Sequence, residues 1–136
     1  MKKSDGFTLV ELLISVVIVG ILVAVALPNY REYVLTSNRA EAHAALLDMA
    51  SRQERFVAQR NTYTTEVVAN TGLGLGTANT ESDYYALSAQ ACPGGDIADC
   101  YIVIANAIGS QAGDTACAQI TYDSSGRKGG TTPDCW

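Results

Sequence analysis

A run of apolar residues from Phe7 to Leu27, broken by one ionisable side chain at Glu11, constrains this chain more than any other feature. As a helix its 21 residues reach roughly 31 Å, the thickness of a bilayer's hydrocarbon core. One membrane-crossing helix is therefore predicted. Lys2 and Lys3 stand ahead of it, and positive charge flanking a hydrophobic span stays on the cytoplasmic side. The expected topology is single-pass, with the N-terminus inside and the remainder outside.

An ordinary secretory signal has a shorter apolar core with a small-residue cleavage site after it. Here the small-residue junction, Gly6-Phe7, comes before the run, so a cut there keeps the hydrophobic helix in the mature protein. A carboxylate inside an apolar span costs about 2.5 to 3.5 kcal/mol or more, so Glu11 needs a partner or a function. The string Gly6-Phe7-Thr8-Leu9-Val10-Glu11-Leu12, followed by Pro28 and Tyr30, resembles the class III signal of type IV prepilins. The resemblance implies that a membrane-embedded aspartyl peptidase cuts between Gly6 and Phe7 and that the new amino terminus, Phe7, is N-methylated. The amino group so freed is a partner for Glu11. Within one straight helix the two groups lie about one turn apart, and an axially shifted neighbour brings its own Glu11 to that amino terminus. Such a pairing sets the register of a filament.

The chain has 136 residues, and the part beyond about Arg60 leaves some 75 for a small head. A head of that size is marginal without covalent help. Cys92, Cys100, Cys117 and Cys135 all lie in it, and an even number outside the membrane fits an oxidising compartment and two disulfides. Three pairings are open. Pro93-Gly94-Gly95-Asp96 is a turn-forming cluster that brings Cys92 to Cys100, which leaves Cys117 for Cys135. Zinc is the competing use of cysteine, but no Cys-x-x-Cys occurs and the single His43 is distant in sequence. No metal and no cofactor are implied. The net charge of −5 becomes −6 in side chains once Lys2, Lys3 and Asp5 are removed with the leader. That acidity disfavours broad electrostatic binding of nucleic acid.

Pro28 removes a backbone donor and crowds the carbonyl of Ala24, and Gly20 lowers helix propensity in the same stretch. A kink or local unwinding between Gly20 and Pro28 is predicted, and the resemblance implies that the segment extends on assembly. From Asn29 to about Arg60, Tyr30, Tyr33, Val34, Ala44, Leu47, Ala50, Phe56 and Val57 recur at helical spacing. The whole helix then approaches 54 residues, roughly 80 Å. Its N-terminal half exceeds what the head can cover and needs lipid or neighbouring helices.

Residues 61–83 read as a loop, and the glycines of Thr71-Gly72-Leu73-Gly74-Leu75-Gly76 fall short of a nucleotide-binding fingerprint for want of a strand before and a helix after. Tyr84 to Cys92 and Cys100 to Ile108 are predicted as an antiparallel hairpin, with a third strand around Ala118 to Tyr122. The turn Asp123-Ser124-Ser125-Gly126 follows, and Arg127-Lys128-Gly129-Gly130 leads on to Cys135 and Trp136. The expected fold is α+β: a long N-terminal helix packed on a small antiparallel sheet, stabilised by disulfides. The expected divisions are a leader 1–6, a membrane and polymerisation helix 7–28, its amphipathic continuation 29–60 and a head 61–136.

Arg52-Gln53-Glu54-Arg55-Phe56, Asn61-Thr62-Tyr63-Thr64 and the ending Asp134-Cys135-Trp136 resemble PilE-type minor pilins of type IVa pili. One histidine makes no catalytic triad, and Glu81, Asp83, Asp96, Asp99 and Asp114 lack EF-hand spacing for calcium. Arg127 and Lys128 are the best local basic pair for a ligand such as DNA. Tyr84, Tyr85 and Trp136 offer aromatic surface for adhesion, against the commoner packing role of a tyrosine pair at a strand start. The resemblance implies a structural subunit without a reaction of its own, a minor pilin in kind. It would be an inner-membrane precursor first and then part of an extracellular pilus serving assembly, adhesion or twitching motility. Its implied partners are other pilin subunits, the prepilin peptidase and the assembly machinery. A major pilin, a DNA-binding competence pilin and a type II secretion pseudopilin are the alternatives.

Overall fold

The structure is a computed structural model that describes residues 7–136. One helix, α1, runs Leu9–Arg60. Four strands follow: β1 Tyr85–Ala91, β2 Tyr101–Ala107, β3 Gln119–Asp123 and β4 Lys128–Gly130. They form one antiparallel sheet in the order β1-β2-β3-β4. The chain divides into a unit ending at Val34 and a compact unit Leu35–Trp136, so the boundary falls inside α1.

In the first unit the helix is unbroken through Gly20 and Pro28, so the predicted unwinding is absent from this form. Proline lacks one donor, yet its ring holds φ near the helical value, so the helix can continue past it at the cost of one backbone bond. The Asn29 amide adds a donor to the Val25 carbonyl, 3.4 Å away.

In the second unit, α1 contributes Ala42, Leu46, Met49, Ala50 and Gln53 to the core. Their spacing of four, three, one and three is a single helical stripe. It is not the stripe that the sequence suggested: Ala44 is exposed, Leu47 is 47% exposed, and only Ala50 is common to both. Small and aliphatic residues recur on several faces here, and packing rather than periodicity selects between them. Tyr85, Leu87, Ala89, Tyr101, Val103, Ala105 and Ile120 complete the core from the sheet, alternating along β1 as a half-buried sheet requires, while on the central strand β2 Ile104 is buried on the opposite face as well.

The helix ends where Asn61 takes φ +55°, its N–H bonded to the Val57 carbonyl at 2.8 Å, a left-handed cap. Gln53, fully buried, then turns the chain back. Its amide donates to the Thr64 carbonyl at 2.6 Å and accepts from the Thr64 N–H at 3.0 Å. The hairpin and third strand lie within a residue of their predicted bounds. β4 is a correction: Lys128-Gly129-Gly130 has no strand propensity and was expected to be a connector. The Asp123–Gly126 turn brings it beside β3, where Tyr122 pairs with Lys128 and Ile120 with Gly130.

Both disulfides join the cysteines expected, Cys92 to Cys100 and Cys117 to Cys135, with Cα separations of 5.6 and 5.4 Å. The first closes the β1–β2 connection. The second ties the 3-10 turn Thr115–Cys117 to the 3-10 turn Pro133–Cys135.

Candidate functional site

Gly6 lies outside the described residues. From Phe7 to Leu27 the large apolar side chains are solvent-facing, at 83% for Phe7 and 46% at the least-exposed, Val23. Among the described residues nothing covers them. Thr8 opens the helix: its Oγ1 accepts from the Glu11 N–H at 3.3 Å and its carbonyl from the Leu12 N–H at 3.2 Å, a side-chain N-cap. The Glu11 carboxylate makes no ion pair among the described residues. Its position in the first turn is favourable to the helix dipole.

Arg127 and Lys128 are brought together at the start of β4, but both cations are engaged. Asp123 accepts from the Ser125 hydroxyl and N–H, the Arg127 N–H and the Arg127 Nε, the last at 2.9 Å. Burial pushes the Asp123 carboxyl up, and these hydrogen bonds more than reverse it, holding it below its ordinary range. The Arg127 side chain remains 81% exposed. Lys128 Nζ lies 4.8 Å from the centre of the Trp136 ring. The indole Nε1 donates to the carbonyls of Thr121 and Gly129, clasping β3 to β4, and the ring stacks on His43 at 4.5 Å. His43 is thus a packing residue, its Nε2 2.7 Å from the Cys135 carbonyl. Trp136 and Tyr85 both pack rather than offer free surface.

A second polar system escaped sequence reasoning. Arg39 Nε and Nη2 hold both oxygens of Asp114 at 2.7 and 2.8 Å. The Arg39 guanidinium holds the Asp114 carboxyl below the usual carboxylate range. Beside it the buried Gln111 amide donates to Tyr85 Oη and to the Leu35 carbonyl, and accepts from Asn38. No spacing links residues 75 apart in sequence. Asp114 is therefore a structural anion here, and Asp83 and Asp96 accept from Asn79 and the Ala98 N–H.

A third group was visible only as a family-like motif. Arg52, Arg55, Phe56 and Gln59 line a cavity of about 270 Å³ with Gly72 and Leu73. Arg60 Cζ sits 5.5 Å from the Phe56 ring centre. The i, i+3, i+4, i+7 spacing was the signal that could have found it.

Comparison with known proteins decides the family. The model of the N-terminal methylation motif of prokaryotes matches residues 1–27. That of "Type IV minor pilin ComP, DNA uptake sequence receptor" matches residues 28–121, more than half of the chain. This chain belongs to the type IV pilin family. The pilin is 35% identical over 91 residues to the type IV wide pilus major component PilA4 of Thermus thermophilus, covering 67% of this chain and 70% of that protein. It is 38% identical over 61 residues to the type IV major pilin PilA of Myxococcus xanthus, across 45% of this chain and 28% of the other. The fimbrial protein EcpC of Eikenella corrodens is 57% identical over 41 residues, 30% of this chain and 27% of that one. For the last two the pilin therefore spans less than a third of the relative's length. A solved type IV pilin from Shewanella oneidensis has the same fold, with TM-score 0.52 at 18% identity over 75% of this chain and 97% of that chain.

Proposed function

We propose that this pilin is a minor subunit, anchored as a single-pass precursor with its head outside the inner membrane, cut between Gly6 and Phe7, and polymerised by its N-terminal helix. The observation that carries this reading is the uncovered apolar surface from Phe7 to Leu27 beside an acid at Glu11. An apolar helix without intrachain cover is stable only in lipid or against other helices. After cleavage and N-methylation of Phe7, Glu11 pairs with the amino terminus of a neighbouring subunit and fixes the axial register. Gly20 and Pro28 give the segment its capacity to extend on assembly. The prepilin peptidase, the assembly machinery and other pilin subunits are the partners.

Filaments sheared from cells test this by quantitative mass spectrometry. A tryptic peptide starting at N-methylated Phe7, in trace amount relative to total pilin, is the expected result. A dominant share makes the chain the major subunit, as the likeness to two major pilins would suggest. A processed chain kept in the envelope and absent from filaments overturns the pilus reading in favour of a secretion pseudopilin. With Gly6 replaced by a bulky residue, the uncleaved precursor should accumulate.

A second reading, DNA contact during uptake, is favoured by the family model over residues 28–121. The head would meet the phosphate backbone through local cations, since its net charge is negative. Arg127 and Lys128 are candidate contacts, weakened by the carboxylate and the indole that already hold them.

A further inference from the structure

We propose that the C-terminal turns of α1 form a phosphate-binding face for duplex DNA, with Arg55 and Arg60 as contacts and Arg52 as the residue that positions them. The inference rests on the DNA-contact reading above and gives it a different place on the head.

Arg52, Arg55, Phe56, Gln59 and Arg60 follow one another at intervals of three, one, three and one residues, so they share one side of the helix. From Arg52 to Arg60 the helix advances about 12 Å, a length over which duplex DNA carries roughly seven phosphate charges. Arg52 is fixed on both flanks. Its Nε donates to Asp48 at 2.8 Å, and its Nη1 donates to the carbonyls of Leu73 and Gly74 at 3.1 and 3.2 Å. That ties the 61–83 loop to the helix and forms one wall of the cavity. Gly72 lets the loop come in: a Cβ there would collide with the Glu66 carbonyl.

The two acids of α1 nearest these arginines already have partners. Asp48 is taken by Arg52, and Glu54 accepts from the hydroxyls of Tyr63 and Tyr101. Among the described residues, Arg55 is exposed with no acidic partner, and Arg60 has the face of Phe56 and no acidic partner. A guanidinium laid on an aromatic ring keeps its in-plane N–H donors for a planar anion such as a phosphodiester. Arg127 and Lys128 contrast with this, one held by Asp123 and the other by Trp136. The arginine face lies inside residues 28–121, the span that matches the DNA-uptake receptor model, and the 127–128 pair lies beyond it.

The test is fluorescence anisotropy of a labelled duplex of roughly 20 base pairs with the processed full-length pilin in detergent micelles, over a series of salt concentrations. Arg55→Gln with Arg60→Gln should weaken binding about tenfold and lower the slope of log affinity against log salt by about two. Arg55→Lys with Arg60→Lys should keep the slope, while Arg127→Ala with Lys128→Ala should change affinity less than about twofold. Unaltered binding by the double glutamine variant, with loss in the 127/128 variant, overturns the inference and spares the DNA reading. No binding by the wild-type pilin overturns both. A glutamine variant that binds DNA normally but is lost from filaments makes this face a subunit contact instead.

Discussion

The residues before Leu35 and those after it solve the folding problem in opposite ways. Up to Leu27 the large apolar side chains are all about half exposed or more, and the helix is held by its backbone ladder and a few local side-chain bonds such as the Thr8 cap. From Leu35 onward the chain supplies its own core, two disulfides and a buried ion pair. The first region is a surface that waits for partners; the second is a fold that needs none. Substitutions in the two should therefore fail in different assays, the first in assembly and the second in stability.

The largest effect is expected at Glu11. Glu11→Val removes a carboxylate that costs energy in lipid, so membrane insertion should persist while incorporation into filaments falls by an order of magnitude or more. Wild-type incorporation would show that the acid does not set register. Next comes Leu46→Ala, which empties a fully buried position and should lower the head's unfolding free energy by about 3 to 4 kcal/mol. Leu22→Ala, the same chemistry in the exposed region, should leave the head's thermal midpoint unchanged by near-ultraviolet circular dichroism. A comparable loss in both would erase the distinction between the regions.

Cys117→Ser with Cys135→Ser should remove about 3 kcal/mol, and Cys92→Ser with Cys100→Ser, closing a shorter loop, about 2.5 kcal/mol. Chemical denaturation of the purified variants checks the order. The smallest effect is a response to pH. Arg39 lowers the Asp114 pKa, so the unfolded chain binds a proton more readily than the native one. The stabilisation is complete above the ordinary carboxylate value and is lost as pH falls through the lower native one. Wild-type thermal midpoints should drop in that acidic window, and Asp114→Asn should begin lower and respond less steeply. Parallel curves would mean that other carboxylates carry the acid sensitivity.

What the sequence made legible were features encoded by neighbours. The apolar run, the Gly6-Phe7 junction and the turn cluster between Cys92 and Cys100 each sit within a few residues, and they led to the helix, the family and the pairing of cysteines. Illegible were features that exist only once distant segments meet. β4 owes its strand to pairing with β3 and to the Trp136 indole, not to the propensity of two glycines. The Arg39–Asp114 pair joins α1 to a 3-10 segment. The core stripe of α1 was misplaced because alanines and leucines occur on more than one side of it, and only the sheet decides which of them are covered. The role of Arg52 likewise exists only where the loop carbonyl of Leu73 closes on its guanidinium.

The connectivity of the cysteines has a consequence for biogenesis. Each disulfide joins neighbours in the order of the chain, first with second and third with fourth. If the head is exported in the proposed topology, from the membrane helix toward the C-terminus, Cys92 and Cys100 are presented as a pair before Cys117 emerges, and Cys117 then finds only Cys135 unspent. An oxidase that simply joins successive thiols can finish such a head with no shuffling enzyme to correct it, so the order of export itself acts as the proofreader.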